Sequence, residues 1–173
     1  MLINVGCGSD YRKGWVNIDN NPKYEVDLCC EADKIPLKDG CASYILASHI
    51  LEHTKDTVRT MSEWHRLLMD GGVLEVVVPH YNSGQAWSGP THLHAYTFDT
   101  FKFFVKGHHS QERGIQCFPL FSSLKLSGLQ SPLFKWLPFK VAVYLSERVP
   151  GLFWEINAKL VKGGGSDGVS WLG

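Results

Sequence analysis

The sequence predicts an α/β fold built on a mostly parallel sheet. Short β-branched runs recur through residues 1–79, one amphipathic helix lies between two of them, and Gly, Pro and Asn close each run. Leu2 to Val5 is apolar and runs into Gly6-Cys7-Gly8, the pattern of a buried strand entering a tight loop. Trp15 to Asp19 reads as a second strand, stopped by Asn20-Asn21-Pro22, and Val26 to Cys30 as a third. Ser43 to Ser48 is the fourth. Val73 to Val78 is the fifth, apolar enough to predict a strand covered on both faces.

The helix spans about Lys55 to Met69, with Val58, Met61, Trp64 or His65, and Leu68 on one face. Thr54 is the expected N-cap, Asp56 suits the positive end of the helix dipole, and Gly71-Gly72 should stop the run. Asp19 follows Gly8 so closely that the first crossover should be shortened or irregular. After Pro79 a loop is expected over 80–90, a short aromatic helix over 98–105, and a late strand pair at 122–126 and 156–161. Pro132 to Gly151 is apolar, broken by prolines and dotted with Lys135 and Lys140, a pattern also compatible with a membrane interface. Residues 1–162 therefore read as one domain, with 1–79 and 80–162 as its two halves and 163–173 as a loose tail.

Composition narrows the function. The 173 residues are 44% hydrophobic and 20% charged, ordinary values for one globular domain. Lys plus Arg and Asp plus Glu both number 17, which argues against broad binding to a phosphate backbone. No stretch has the length of a membrane span, no signal-peptide pattern opens the chain, and the five cysteines include no CxxC pair. A reduced, cytoplasmic protein is the expectation.

Glycines at a strand's carboxyl end admit a ligand close to the backbone, and open α/β sheets bind ligands along that edge. An acid ending the next strand, here Asp19, suits the ribose hydroxyls of a nucleoside. Tyr11 stands where a dinucleotide fingerprint needs its third glycine, and Asp19 comes too early for one, so NAD is disfavoured.

The strings INVGCGSDYRKGWVNID, EADKIPLKDG, SYILASHILEH and EWHRLLMDGGVLEVVVPH, in that order, resemble the type 11 group of class I S-adenosyl-L-methionine (SAM)-dependent methyltransferases. The likeness is to a bacterial subgroup that begins LxxGCGxxxxxGWxNxD, and it covers about residues 2–82. It implies a Rossmann-like class I methyltransferase fold, with helices on both faces of the sheet, and SAM as cofactor. It also implies cofactor contacts from Gly6, Cys7, Gly8, Asp19, Glu31, Ala32, Ser48 and His49, with Asp33 as the local alternative to Glu31. Asn4 and Ser43 depart from the group, which carries Asp or Glu at the first position and Asp at the second.

Methyl transfer needs alignment more than acid–base work, but a hydroxyl acceptor needs a base, and histidine suits that task. Among eight histidines, the base candidates are His49, His80, His92 and His94. Thr91-His92-Leu93-His94 alternates like an extended segment with both rings on one side. His108-His109 reads as a solvated turn and His65 as part of the helix face.

His49-x-x-Glu52-His53 resembles the ExxEH metal site of certain O-methyltransferases, with His49 in place of the first Glu and with His80, His92 or His94 available to complete it. The plain reading is no metal, Glu52 and His53 shaping the start of the helix. The aromatic stretches 98–104 and 134–139 read first as core and second as an acceptor pocket. No NPPY-like tetrapeptide follows the fourth strand, which argues against a nucleic-acid base amine as acceptor. A small-molecule acceptor, in the subgroup a surface sugar or lipid-linked intermediate, is the expectation. The alternatives are a degenerate SAM-binding module acting through a partner and a metal-assisted O-methyltransferase. The oligomeric state is not legible.

Overall fold

The computed structural model describes residues 1–107, 118, 120–163 and 168–171. The strands are β1 (Leu2–Val5), β2 (Val16–Asp19), β3 (Leu28–Cys29), β4 (Ala42–Ser48), β5 (Leu68–Pro79), β6 (Ser123–Gln130), β7 (Phe153–Val161) and β8 (Gly168–Trp171). They form one sheet in the order β3-β2-β1-β4-β5-β7-β6-β8. β1 to β5 run parallel to one another, and β7 is antiparallel to β5 and β6. The expected late strand pair is thus present, and the fold class is the one predicted.

Side-chain parity decides what the sheet carries on each side. Ile3, Ile45, Leu74, Leu160 and Leu124 stand in register across five strands, and each is fully buried. The row Val5, Ala47, Val76, Ala158 and Leu126 repeats this one step along. Helix α1 (Thr57–Leu67) adds Met61, Trp64 and Leu67 to that cluster, and the 3-10 segment Phe98–Phe104 adds Phe98, Phe101 and Phe104. After the five-residue helix α2 (Gly84–Ser88), helix α3 (Phe139–Leu145) contributes Ala142. The first aromatic stretch is therefore core, as read first.

The opposite face is different. Tyr44, Ser48, Val73, Glu75, Val77, Asn157 and Lys159 are only part-buried. Tyr44 Oη donates to Glu75, whose carboxylate also accepts from Asn157 Nδ2 at 2.6 Å and pairs with Lys159 Nζ at 3.3 Å. α1, α3 and the 98–104 segment all serve the first face. The expectation that β5 is covered on both faces gives way, among the described residues, to a second face that carries this polar network and a cavity of about 510 Å³ among Leu2, Trp15, Tyr44 and Val77. The valines of β5 alternate between full and partial burial, which composition alone does not distinguish.

The first crossover holds no helix. Instead Asn17, fully buried, ties the loop: its Oδ1 accepts from Arg12 N at 2.9 Å and Asn4 Nδ2 at 3.3 Å, while its Nδ2 donates to Arg12 O, Trp15 O and Asp27 Oδ2. Asp27 also accepts from Asn17 N at 2.7 Å, so its side chain holds the loop and β3 shrinks to two residues.

α1 starts two residues later than expected because Asp56, not Thr54, is the N-cap, accepting from Arg59 N at 3.0 Å. Thr54 instead donates to Leu51 O and closes the 3-10 turn Leu51–His53. The helix ends at Leu67, not at Met69, because Leu68 already pairs with Ala42. Lys162 Nζ, arriving from the end of β7, binds His65 O and Leu68 O at 3.0 and 2.8 Å. α2 interrupts the expected 80–90 loop, and β8 pairs in parallel with β6, so the 163–173 tail is not wholly loose. A backbone ladder at a sheet edge recruits such a segment with little help from side-chain pattern. His108 and His109 lie outside the described residues.

Candidate active site

The site grows from the carboxyl ends of β1, β2 and β4. Gly6 and Gly8 hold φ at +66° and +48°, the left-handed region that side chains resist. Gly6 is also packed tight: a Cβ there would lie 2.6 Å from Ile50 Cβ. Cys7 N donates to Ile18 O at 3.0 Å, extending the β1–β2 pairing into the loop. Its thiol is buried, and burial first and Asp19 second push its pKa up, the opposite of an activated nucleophile.

Asp19 accepts from Gly8 N and Asn21 N, each at 2.9 Å, one on each carboxylate oxygen. A carboxylate has about four acceptor positions, so Asp19 keeps roughly half for a pair of ribose hydroxyls. Gly8 is open, with nothing nearer to a hypothetical Cβ than Tyr24 at 4.0 Å. These features fit the nucleoside end of SAM.

Beyond β2, Asn20 Nδ2 reaches both oxygens of exposed Glu31 at 3.4 Å. Ala32 O accepts from Trp64 Nε1 at 2.9 Å, so the core sets its position, and Asp33 is paired with Arg59 at 3.1 Å. Asn4, which stands where the group carries Asp or Glu, is 2% exposed and donates to Asp10 O at 2.7 Å. Its amide braces the loop from below. Ser43 Oγ donates to Met1 O at 3.2 Å, and Ser48 lines the cavity of the open face.

At the end of β4, His49 has φ +54°, unusual for a residue with a Cβ, and its N–H still donates to Val77 O at 2.8 Å. The ring lies between two carboxylates, Nδ1 at 3.4 Å from Glu52 Oε1 and Nε2 at 3.3 Å from Glu155 Oε1. With its side chain 41% exposed, it meets solvent while staying oriented. Glu52 foremost, then Glu155, raises its pKa against the opposing effect of burial. Glu155 lies on β7 and escaped sequence reading, since no local motif marks it.

His53 and His92 come together from positions far apart in sequence, their rings edge to face with centroids 4.8 Å apart. Leu93 N donates to Glu52 O at 2.8 Å and pins the 91–94 segment against the Leu51–His53 turn. The alternation read from Thr91-His92-Leu93-His94 is visible as exposed Thr91 and Leu93 against part-buried His92 and His94.

His80 stands apart from this group. It is 1% exposed and packed among Tyr81, Phe98 and Phe153, and its Nδ1 accepts from Asn82 N at 3.3 Å. Burial pulls its pKa down to about 4. The unfolded chain takes up this proton near pH 6.5 and the native one only near 4. Native stability is therefore complete above about 6.5 and falls by about 3 kcal/mol as pH drops to 4. Chemical denaturation at a series of pH values should show that loss, and His80→Gln should lack most of it. Parallel losses in both proteins would place the acid sensitivity elsewhere.

Residues 4–76 match the family described as methyltransferase domain, in its type 11 group. No curated protein matches the chain. Among solved structures, a SAM-dependent methyltransferase from Archaeoglobus fulgidus is similar with a TM-score of 0.67 at 14% identity, over 93% of this chain and 85% of that one. A possible histamine N-methyltransferase from Thermotoga maritima gives 0.62 at 15% identity, over 93% and 81%. The Haloferax volcanii complex of the Trm112 methyltransferase activator with a methyltransferase gives 0.58 at 15%, over 94% and 82%. No helix of the described residues is long and apolar enough to cross a membrane. Residues 4–76 thus match a methyltransferase domain, and the chain carrying them has the class I methyltransferase fold.

Proposed function

We propose that this chain transfers a methyl group from SAM to a hydroxyl or similar nucleophile of a small molecule. The observation that carries the reading is the meeting of two chemistries at one sheet edge. A glycine loop with a half-free acid, Asp19, adjoins a histidine held between two carboxylates, and Ile50, next to His49, packs directly on Gly6. In that reading Gly6, Cys7, Gly8, Asp19, Glu31, Ala32, Ser48 and His49 surround the cofactor. When bound, SAM supplies an activated methyl group on a sulfonium. The chain's own part is to hold the acceptor in line and to receive its proton.

His49 is the base that the geometry favours, ahead of His92 and His94. His80 is sealed in the core. The acceptor enters from the side of residues 80–125, and the cytoplasmic setting read from the cysteines accompanies this proposal.

Calorimetry with SAM and its demethylated product tests the cofactor half. Asp19→Ala should weaken binding by about 1.5–3 kcal/mol, the worth of hydrogen bonds to a charged group. Equal affinity in a folded Asp19→Ala protein would remove Asp19 from the site. Failure of the wild type to bind either compound would leave a fold without this function.

A further inference from the structure

The structure assigns a divalent transition-metal site to Glu52, His53 and His92. One ligand atom from each of the three lies within 4.8 Å of the other two. Three features of the surroundings suit a cation better than a packing cluster.

The first is Glu52 itself. It is 1% exposed, and neither carboxylate oxygen has a hydrogen-bond partner among the described residues. A buried carboxylate without compensation costs several kcal/mol, and natural proteins pair such groups or give them to a metal. The ion-pair partner of Glu52 is His49, whose Nδ1 stands 3.4 Å from Oε1, longer than a good charge-assisted hydrogen bond.

The second is the tautomer of the two rings. His53 Nδ1 faces Thr91 O at 3.2 Å, and His92 Nδ1 faces Ala86 O at 3.0 Å. A carbonyl only accepts, so His92 Nδ1 carries the hydrogen and that ring presents its Nε2 lone pair, whereas His53 Nδ1 also meets the Thr91 hydroxyl at 3.0 Å, which can donate or accept. A backbone carbonyl on the other ring nitrogen is the usual support of a metal-binding histidine.

The third is how the ligands are delivered. The 91–94 segment is tied to Glu52 O through Leu93 N at 2.8 Å, so His92 is carried to the carboxylate by backbone bonding. Packing holds the His92 ring too, since a Cβ on Gly89 would lie 2.5 Å from it.

Two imidazoles and one carboxylate are borderline donors that favour zinc, manganese, iron or cobalt over magnesium or calcium. Ligand bonds of about 2.1 Å bring tetrahedral donors to roughly 3.4 Å apart. The three ligand atoms, now within 4.8 Å of one another, close to that spacing when the ion binds. Three protein ligands leave a position open, and an acceptor oxygen bound there would be polarised beside His49. That use rests on the methyl-transfer reading; the binding of the ion does not.

The test is direct titration of Zn2+ and Co2+ into the metal-stripped full chain, with Mg2+ as comparison. Elemental analysis should find one ion per chain, and Co2+ should give a visible absorption band. Glu52→Gln and His92→Ala should each weaken Zn2+ binding by more than about 10-fold, the least that loss of a supporting residue costs. His65→Ala, outside the three-residue cluster, should bind as wild type, and circular dichroism checks that each variant is folded. No stoichiometric Zn2+ or Co2+ in the wild type, or unchanged affinity in both ligand variants, overturns the site. Calorimetry with demethylated SAM on the same samples separates the two claims. Cofactor binding without an ion sinks the metal site alone, and an ion without cofactor binding sinks the methyl-transfer reading alone.

Discussion

Replacing His49 by Ala should lower turnover by about 10²–10⁴-fold, the usual range for loss of a general base. Binding of SAM should survive, because Asp19 and the glycine loop are held by β1 and β2. The ring is oriented from both sides, by Glu52 at 3.4 Å and Glu155 at 3.3 Å, so its removal takes away a positioned group rather than a mobile one. The backbone strain is unchanged, since Ala at φ +54° is no better placed than His. His92→Ala and His94→Ala belong in the same experiment. Single-turnover rates with saturating cofactor separate chemistry from binding. Near-normal rates in His49→Ala would return the role to His92 or His94, and near-normal rates in all three would leave alignment as the source of the rate.

Gly6→Ala should lose about 2–5 kcal/mol of stability and the cofactor site with it. Two penalties add at this position. A left-handed φ costs an ordinary residue about 1–2 kcal/mol, and Gly6 stands at +66°. The new methyl would also overlap Ile50, whose Cβ and Cγ1 are both 2.6 Å away, and overpacking costs about 1–3 kcal/mol. Denaturant unfolding of Gly6→Ala, and of Gly6→Ala with Ile50→Ala, checks both parts. The double variant removes Cγ1 and Cδ1 but keeps the Cβ at 2.6 Å, so it should recover only part of the packing share and keep the conformational one. A single variant as stable as wild type would show that the loop adopts another conformation. Gly8→Ala, where the nearest side-chain atom is 4.0 Å away, should suffer the conformational penalty only.

Much of this was legible in the residues, for physical reasons that can be named. β1, β2, β4 and β5 announce themselves because a strand buried between parallel neighbours must be short, apolar and bounded by turns. The Gly6-Cys7-Gly8 loop and Asp19 were legible because the first requires a residue without a Cβ and the second follows from topology. β3 was overread, since Asp27, one of its expected residues, spends its side chain on Asn17. The start of α1 was misplaced by two residues because Thr54 and Asp56 are both good caps, and only the geometry of the turn decides between them.

The residues by themselves determined the fold class, the carboxyl-end loop and the acid that follows it, because those are set by local backbone requirements and strand order. Long-range contacts decided the rest. His92 reaches Glu52 and His53 only through the path of the chain after β5, and Glu155 reaches His49 only because β7 inserts antiparallel beside β5. His80 sits no differently in the sequence from the other histidines, yet tertiary packing buries it in the core. The open second face of the sheet is decided in the same way. Valine at positions 73 and 77 satisfies a strand whether or not a helix covers it, so only the packed structure shows which face is closed.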